Sequence, residues 1–285
     1  MTENTENLII RADTTTNGRY ANQFIRAMAA HFISENLGAQ PLYPPINLAR
    51  LGIQLYKPST LPSTLPSTLP GDTQIVSLEE TNFMDFMVNS HMPCDNQEIG
   101  ENSEQTSGPG TAVKPNKILD LNHIYCQTPE HALKIKDFLY LPEVLGGIKS
   151  ANPHQERYAA NNDVFIHVRL GDVPFYNPGF AYYDRVLSGL EFTTGYITSD
   201  TINHPICLKL IRKYRLQIIN PHAQIEDIIQ LGSTCKHIIL SAGTFSWLIG
   251  MLGFHSQIYY PDPAQKRRWH GCIFECMPSW TKISY

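Results

Sequence analysis

Residues 163 to 172 read Asp-Val-Phe-Ile-His-Val-Arg-Leu-Gly-Asp, and this stretch decides the fold. After Asp163, residues 164 to 168 form an apolar run interrupted only by His167, which is typical of a parallel strand buried on both faces. The strand then runs directly into an arginine, a glycine and an aspartate. Because ligands of open α/β sheets bind beyond the carboxyl ends of the strands, the residues that follow this strand are candidates for a site.

Downstream of this strand, the sequence alternates between apolar runs and helical patterns. We predict strands at 163–168, 195–199, 217–220, 237–241 and 257–260, with helices at 182–190, 205–214, 225–231 and 245–252. Alternation of this kind predicts a parallel sheet with crossover helices.

The first half of the chain is less regular. We predict a strand at 8–12, a helix at 21–37 that Gly38 ends, a short strand at 82–89 and a helix at 130–140. Long loops are expected at 57–72, where proline recurs every fourth residue, and at 93–117, which is polar. The fold class is therefore α/β, with an N-terminal domain at 1–160 and a C-terminal domain at 161–285.

Charge and hydropathy argue against some classes of partner. The 285-residue chain carries a net charge of −4, without the basic excess of proteins that bind nucleic acid or membrane surfaces. The first apolar run, Leu8 to Ile10, is too short for a signal peptide or a membrane anchor. We therefore expect no nucleic-acid partner, no stable membrane insertion and a cytoplasmic protein of bacterial or viral type, or else a shortened chain.

The six cysteines are too sparse for a disulfide scaffold in a chain of this length. Cys272 and Cys276 have the C-x3-C spacing of half a zinc site, but no second pair of ligands stands nearby in the sequence. Free thiols in a reducing compartment are the interpretation that we adopt.

The first candidate site follows the strand at 163–168. Arg169 is suited to a bidentate grip on phosphate oxygens, and Gly171 allows the backbone to turn closely beneath a ligand. Asp172 either orients Arg169 or acts on a substrate hydroxyl, and a surface salt bridge is the structural alternative. His167 is a candidate base, with a hydrogen-bonded core histidine as its alternative.

The second candidate site follows the strand at 237–241, where a turn of small residues leads into a helix. Free backbone N–H groups at a helix start bind anions, and nearby hydroxyl groups add donors. Helix capping by serine or threonine is the alternative. The candidate donor-binding residues here are Ser241, Gly243, Thr244, Phe245 and Ser246.

Two further segments also follow a predicted strand and precede a helix. Gly18, Arg19, Asn22 and Gln23 stand at the entry of the first helix, where capping and a solvated arginine are the alternative to a role in the site. Asp200 follows the strand at 195–199 and either caps the next helix or binds a ribose hydroxyl.

Together these segments resemble the motifs of the α-1,2-fucosyltransferases. HVRLGD at 167–172 is similar to the HxRxGD motif of that family, and CKHIILSAGTFSWLIGML at 235–252 is similar to its second signature. ITSD at 197–200 and GRYANQF at 18–24 resemble two shorter signatures in the same order. The resemblance covers residues 161–270 and 8–38.

The resemblance implies a GT-B arrangement of two Rossmann-like halves, with the donor in the cleft and held mainly by the C-terminal half. It further implies an inverting enzyme that uses GDP-fucose without a metal, a glycan acceptor, and Arg169 on the donor's β-phosphate. The residues 243–246 would hold the diphosphate or ribose. The resemblance does not identify the catalytic base, for which Asp172, His167 and Asp200 are the candidates among the residues of these segments. Leu170, Thr201 and Leu248 depart from the family pattern, which bears on the donor sugar and the linkage.

Two alternatives remain at this point: a transferase of the same fold with another nucleotide sugar, and a non-catalytic protein that binds glycans or nucleotides. A Rossmann oxidoreductase is disfavoured because no G-x-G-x-x-G follows the first strand.

Overall fold

A computed structural model describes residues 8–13, 19–57, 73–79, 82–88, 117–220, 223–262 and 272–285 of the chain. The predicted loops at 57–72 and 93–117 lie almost wholly outside the described residues, as does Gly18. The chain divides into two compact units. The first consists of Met1–Asn17, Ile25–Pro45 and Leu55–Cys126, and the second of Gly18–Phe24, Ile46–Gln54 and Gln127–Tyr285.

The first unit contains a four-stranded parallel sheet in the order β2-β1-β4-β3. Its strands are β1 (Leu8–Arg11), β2 (Gln40–Leu42), β3 (Gln74–Ser77) and β4 (Lys117–Asp120). Helix α1 (Tyr20–Leu37) follows β1 as predicted, and Gly38 takes a φ of 64° just after it. This left-handed residue ends the helix at almost no steric cost because glycine has no Cβ.

The strand predicted at 82–89 is wrong, because residues Phe83–Val88 form helix α2. Phe83, Phe86 and Met87 are buried, and their spacing of three and four residues is that of one helix face. An alternating strand would instead have placed the acidic Asp85 on the same face as Phe83. Helical periodicity therefore decides this short segment.

The second unit contains a six-stranded sheet, all parallel, in the order β10-β9-β8-β5-β6-β7. Its strands are β5 (Val164–Val168), β6 (Gly195–Ser199), β7 (Gln217–Ile218), β8 (His237–Ile239), β9 (Gln257–Pro261) and β10 (Thr281–Ile283). Numbered by their appearance within the unit, the strands run 3-2-1-4-5-6 across the sheet, which is the Rossmann order.

The helices of the second unit are α3 (Pro129–Leu139), α4 (Pro142–Ala151), α5 (Phe180–Ser188), α6 (Pro205–Tyr214), α7 (Ile225–Ser233), α8 (Thr244–Met251) and α9 (Cys272–Glu275). Alternate residues of β5 face opposite sides. Ile166 joins an apolar cluster with α5 and α6, whereas the ring of Phe165 lies against Gly232 of α7. Burial on both faces explains why this strand is apolar almost throughout.

The helices α3 and α4 lie in the second unit, although the predicted boundary at residue 160 would place them in the N-terminal domain. Helix α4 is not evident from the sequence, because Gly146 and Gly147 lower its helix propensity. A Cβ at Gly147 would lie 2.9 Å from the carbonyl oxygen of Gly52. The glycine therefore permits a close backbone approach that a pattern of hydrophobic residues does not reveal.

None of the helices in the described part of the chain combines the length and the apolar character needed to cross a bilayer.

Candidate functional site

The centre of the second sheet is a topological switch point. From β5 the chain proceeds through β6 to β7 on one side, and then returns to β8, which pairs with the other side of β5. At such a point the helical connections leave in opposite directions and open a crevice beyond the carboxyl ends of the two strands. The first and second candidate sites are the segments that follow β5 and β8, so the topology places them side by side.

Arg169 is the first residue beyond β5, and its side chain is only 15% exposed. Its Cγ lies 4.0 Å from the position that a Cβ would occupy on Gly243, the residue before α8. The guanidinium donates hydrogen bonds to the carboxylates of Asp172 and Asp200. The structure therefore brings Arg169 next to the start of α8.

Asp200 holds the turn that follows β5. Its Oδ1 accepts hydrogen bonds from the backbone N–H groups of Leu170 and Gly171, both at 3.0 Å. A Cβ on Gly171 would overlap this carboxylate, which explains a glycine at that position. The alternative that Asp200 caps the next helix is wrong, because His204 is the N-cap of α6.

Arg19 completes a cluster of four charges. Its Nη2 lies 3.3 Å from Asp172 Oδ2, and its Nη1 lies 3.6 Å from Asp200 Oδ2. Each of Arg19 and Arg169 thus faces both carboxylates, and we call these four residues the charged ring. Burial, and then the charge of Arg19, lower the pKa of Arg169, while Asp172 opposes this shift. Arginine nevertheless keeps its charge at any physiological pH.

The start of α8 supplies backbone donors. Gly243 precedes the helix with a φ of 128°, and Trp247 N–H donates to its carbonyl oxygen at 3.2 Å. Within the described residues, no backbone acceptor is paired with the N–H groups of Thr244, Phe245 or Ser246. Unpaired N–H groups at a helix start, together with the helix dipole, bind anions.

The predicted residues His167, Ser241 and Ser246 lie inside the protein. Ser246 Oγ accepts a hydrogen bond from Ser241 N–H at 3.0 Å and lies 2.5 Å from His167 Nδ1. Burial, and then the charge of Arg169, lower the pKa of His167 to about 3, so its imidazole is neutral at physiological pH. These side chains join β5, the end of β8 and α8, as the core-histidine alternative predicts.

The segment at the entry of α1 also reaches α8. Thr244 Oγ1 donates a hydrogen bond to Asn22 Oδ1 at 2.7 Å, and Gln127 Nε2 donates to the same oxygen at 3.1 Å. Gln23 donates its backbone N–H to the carbonyl oxygen of Arg19 at 3.1 Å. Asn22 therefore positions the first turn of α8, whereas Gly18 lies outside the described residues.

Asn177 is a structural residue that the sequence analysis missed. Its Nδ2 donates to the carbonyl oxygen of Arg169 at 2.7 Å, and its Oδ1 accepts from Gly179 N–H at 2.8 Å. The segment Asn-Pro-Gly at 177–179 is a turn signal that could have identified it. Asn177 fixes the backbone from which Arg169 projects.

The first unit carries another polar cluster, at the carboxyl ends of β1 and β4. Arg11 donates to Asp120 at 2.5 Å, and Asp120 Oδ1 accepts from Asn122 N–H at 3.0 Å. His123 Nε2 lies 3.8 Å from Asp120 Oδ2. This cluster could not be predicted from the sequence, because β4 is too short to show a strand pattern.

Cys272 and Cys276 form no disulfide, and neither do Cys126, Cys207 and Cys235. Across the described residues, no group of three or more His, Cys, Asp or Glu side chains is arranged to hold a metal ion.

The second unit is therefore a Rossmann-like parallel α/β unit with a candidate anion site at its switch point, and the described residues form two parallel sheets, each in its own unit. No protein-family profile and no curated protein matches the sequence. A crystal structure of POFUT1 in complex with GDP resembles the chain at 10% identity and a TM-score of 0.39. The matched region covers 87% of this chain and 95% of that one.

A second crystal structure, of POFUT1 in complex with GDP-fucose, has 9% identity and a TM-score of 0.38, with the same coverage of 87% and 95%. A likeness of this strength carries no inference about function.

Proposed function

We propose that the protein is a glycosyltransferase that transfers fucose from GDP-fucose to a hydroxyl group of a glycan, with inversion and without a metal ion. One observation carries the proposal: Arg169 and the backbone N–H groups at the start of α8 lie together at the switch point of one Rossmann-ordered sheet. A guanidinium next to a helix start is a combination that binds a diphosphate group. The resemblance of 167–172 and 235–252 to the α-1,2-fucosyltransferase motifs supports fucose as the sugar.

In the proposed reaction, the acceptor hydroxyl attacks the anomeric carbon while the bond to the diphosphate breaks. The transition state resembles an oxocarbenium ion, and negative charge grows on the leaving phosphate. Arg169 and the N–H groups of Thr244, Phe245 and Ser246 are fixed donors for that charge. Donors that are already oriented need no rearrangement during the reaction, which makes their contribution to the rate large.

Asp172 is the base that we propose for the acceptor hydroxyl. Its side chain is 57% exposed, whereas the side chain of Asp200 is only 23% exposed. Asp200 also accepts hydrogen bonds from two backbone N–H groups. His167 is buried, and its Nδ1 is already paired with Ser246 Oγ. Of the three candidate bases, Asp172 is the most exposed, and its partners are the side chains of Arg169 and Arg19 rather than backbone N–H groups.

The charged ring has a consequence for donor binding. The charges of its two arginines and two aspartates sum to zero, so the ring alone does not attract an anion over a distance. A diphosphate must replace a carboxylate as the partner of Arg169. We expect Asp172 to be the carboxylate that leaves, because Asp200 is held by Leu170 and Gly171. Donor binding would then free Asp172 to accept the acceptor's proton.

Incubation of the purified protein with labelled GDP-fucose and a panel of glycans, in the presence of EDTA, tests the proposal. We expect a fucosylated product whose anomeric configuration is opposite to that of the donor. Absence of transfer with EDTA and its return with Mg²⁺ or Mn²⁺ would contradict the metal-independent mechanism.

Leu170 and Thr201 depart from the α-1,2-fucosyltransferase motifs. These departures favour a second candidate function, a transferase that uses a different nucleotide sugar at the same site. Parallel incubations with GDP-mannose and UDP-sugars distinguish the two. Transfer from one of these donors, but not from GDP-fucose, would replace the donor assignment and retain the site. A donor that binds without ever being turned over would instead indicate a non-catalytic binding protein.

A further inference from the structure

The segment that follows Asp172 exposes an aromatic surface beside the charged ring. Residues Pro174–Tyr176 form a single 3-10 turn. Phe175 is 64% exposed, more than any other large hydrophobic side chain among the described residues. Its ring centroid lies 4.3 Å from that of Tyr176, with the two planes inclined by 52°. Burial of Phe175 does not stabilise the fold, so its exposed face is free to contact a ligand.

The aromatic pair is held in a defined place. Tyr176 N–H donates to the carbonyl oxygen of Val173, and Asn177 N–H donates to that of Pro174, both at 3.1 Å. The buried side chain of Asn177 then fastens the end of the turn to the carbonyl oxygen of Arg169. The backbone that carries Phe175 is thereby fixed relative to the residue that we propose to bind the diphosphate. A preorganised surface of this kind loses little entropy when it binds a ligand.

An exposed aromatic face next to a polar site suits a ligand ring with one apolar face and a polar edge. A pyranose has such a face, formed by its axial C–H groups. Asp172 and Phe175 are three residues apart, so their Cα atoms are separated by no more than about 11 Å. A glycan whose reacting hydroxyl reaches Asp172 therefore has an adjoining ring within range of Phe175.

We propose that Phe175 and Tyr176 form a stacking platform for a pyranose ring of the glycan acceptor, an inference that rests on the proposed transferase function. The platform adds a subsite to the chemistry of Arg169 and Asp172. It also assigns part of the acceptor recognition to the second unit.

The test compares wild-type protein with Phe175→Ala and Phe175→Trp on a glycan array, with thermal stabilisation by GDP measured in parallel. We expect the alanine variant to bind its glycans about tenfold or more weakly, because stacking on one aromatic ring contributes on the order of 1–3 kcal/mol in the comparable case of nucleobases. We expect the tryptophan variant to retain binding and GDP to stabilise all three proteins equally. Tyr140→Ala is the matched control, since Tyr140 is also an exposed aromatic residue, in contact with Phe254 and 44% exposed.

Equal glycan binding by wild type and Phe175→Ala, or no glycan binding by wild type, would overturn the platform. Loss of GDP stabilisation in Phe175→Ala with unchanged glycan binding would also overturn it, and would assign the ring to a nucleobase. Glycan binding that depends on Phe175 without any GDP stabilisation of the wild type would support the platform and contradict the transferase function. The two proposals can therefore fail separately.

Discussion

Arg169 is the central residue of the proposed site. Its side chain donates hydrogen bonds to Asp172 and Asp200 and lies next to the start of α8. The sequence singles it out by position alone, as an arginine at the end of a buried apolar strand. Its partners were only partly predictable. Asp172 is three residues away and was foreseen as an orienting group, whereas the role of Asp200 depends on the pairing of β5 with β6, which local sequence does not encode.

Replacement of Arg169 should greatly reduce turnover and leave the fold intact. We expect Arg169→Ala to lose about 100- to 1,000-fold in turnover, the usual effect of removing one donor to a developing negative charge. Arg169→Lys should recover only part of the activity, since an ammonium lacks the bidentate geometry of a guanidinium. Steady-state kinetics with GDP-fucose and a thermal melt of each variant provide the measurement.

Arg185→Ala is the matched control for this experiment. Arg185 is an exposed arginine of the same unit, and its Nη1 donates to the carbonyl oxygen of Ser284. Its loss should leave turnover unchanged. Full activity in Arg169→Ala would contradict the assignment of the phosphate donor.

The two aspartates of the charged ring should respond differently to substitution. Asp172→Asn should lower kcat with little change in the midpoint of thermal unfolding, because its side chain is exposed and accepts no backbone hydrogen bond among the described residues. Asp200→Ala should destabilise the fold by about 1–3 kcal/mol, since it leaves the buried N–H of Leu170 unpaired. Urea unfolding and kinetics on both variants test this contrast. A strong loss of stability in Asp172→Asn would point to a structural role for that residue.

His167 should make the stability of the fold depend on pH. Its pKa falls to about 3 in the folded protein, so between about pH 6.5 and pH 3 the unfolded chain binds a proton that the folded chain does not. The free energy of unfolding should therefore decrease as the pH falls through this window, by about 2 kcal/mol between pH 6.5 and pH 5. Well above pH 6.5 the imidazole is neutral in both states and contributes no slope.

Urea unfolding of His167→Asn at several pH values isolates this contribution, because the variant should lack that part of the slope. His123→Asn is the control, since His123 is an exposed histidine of the first unit. An identical slope in wild type and His167→Asn would show that the folded protein protonates His167 in this pH range.

At the scale of single elements, the strand-to-helix turns determine the geometry of the site. The prediction extended β8 to Ser241, but the strand ends at Ile239. Ser241 N–H is bonded to the side chain of Ser246, and this bond closes the turn into α8. Apolar patterning cannot reveal such an ending, because Leu240 and Ser241 remain fully buried in the turn.

Substitution of the two glycines of the site, Gly243 and Gly171, should be harmful for different reasons. Gly243 has a φ of 128°, which other residues rarely adopt, while the nearest atom to an added Cβ is 4.0 Å away. Gly243→Ala should therefore cost about 1–3 kcal/mol of stability through backbone strain. In Gly171→Ala the new methyl group would displace the Asp200 carboxylate from its place beside Arg169. We expect that variant to lose turnover.

Urea unfolding and kinetics on both glycine variants provide the measurement. Gly189→Ala is the control, because its nearest contact to an added Cβ is an ordinary 3.6 Å. Unchanged stability in Gly243→Ala would show that the turn before α8 relaxes freely, and would weaken the idea of a preorganised anion site.

At the scale of the whole molecule, the sequence predicted the class of fold better than its topology. Alternation of strands and helices after residue 163 indicated a parallel sheet, and the boundaries of β6 and α6 agree with the prediction. The strand order depends on which apolar surfaces meet in three dimensions, so alternation alone could not supply it. The edge strands β2 and β10 were not predicted, because each has only three residues, which is too short for a recognisable alternation of apolar and polar side chains. In β2 one of the three is also a proline.

The topology of the second unit brings the two predicted parts of the candidate anion site together. Two segments about 70 residues apart, one after β5 and one after β8, become neighbours because the chain returns across β5 to form β8. The resemblance to fucosyltransferase motifs had associated the two segments. The strand order provides the physical reason for that association.

A crystal structure of the protein with GDP, grown in the presence of EDTA, tests the central claim most directly. We predict that the β-phosphate lies within about 3 Å of the Arg169 guanidinium and of at least one N–H group among Thr244, Phe245 and Ser246. We also predict that Asp172 will have left Arg169 while Asp200 keeps its bonds to the turn. A diphosphate bound elsewhere, or one that contacts Arg169 but not the start of α8, would contradict the account.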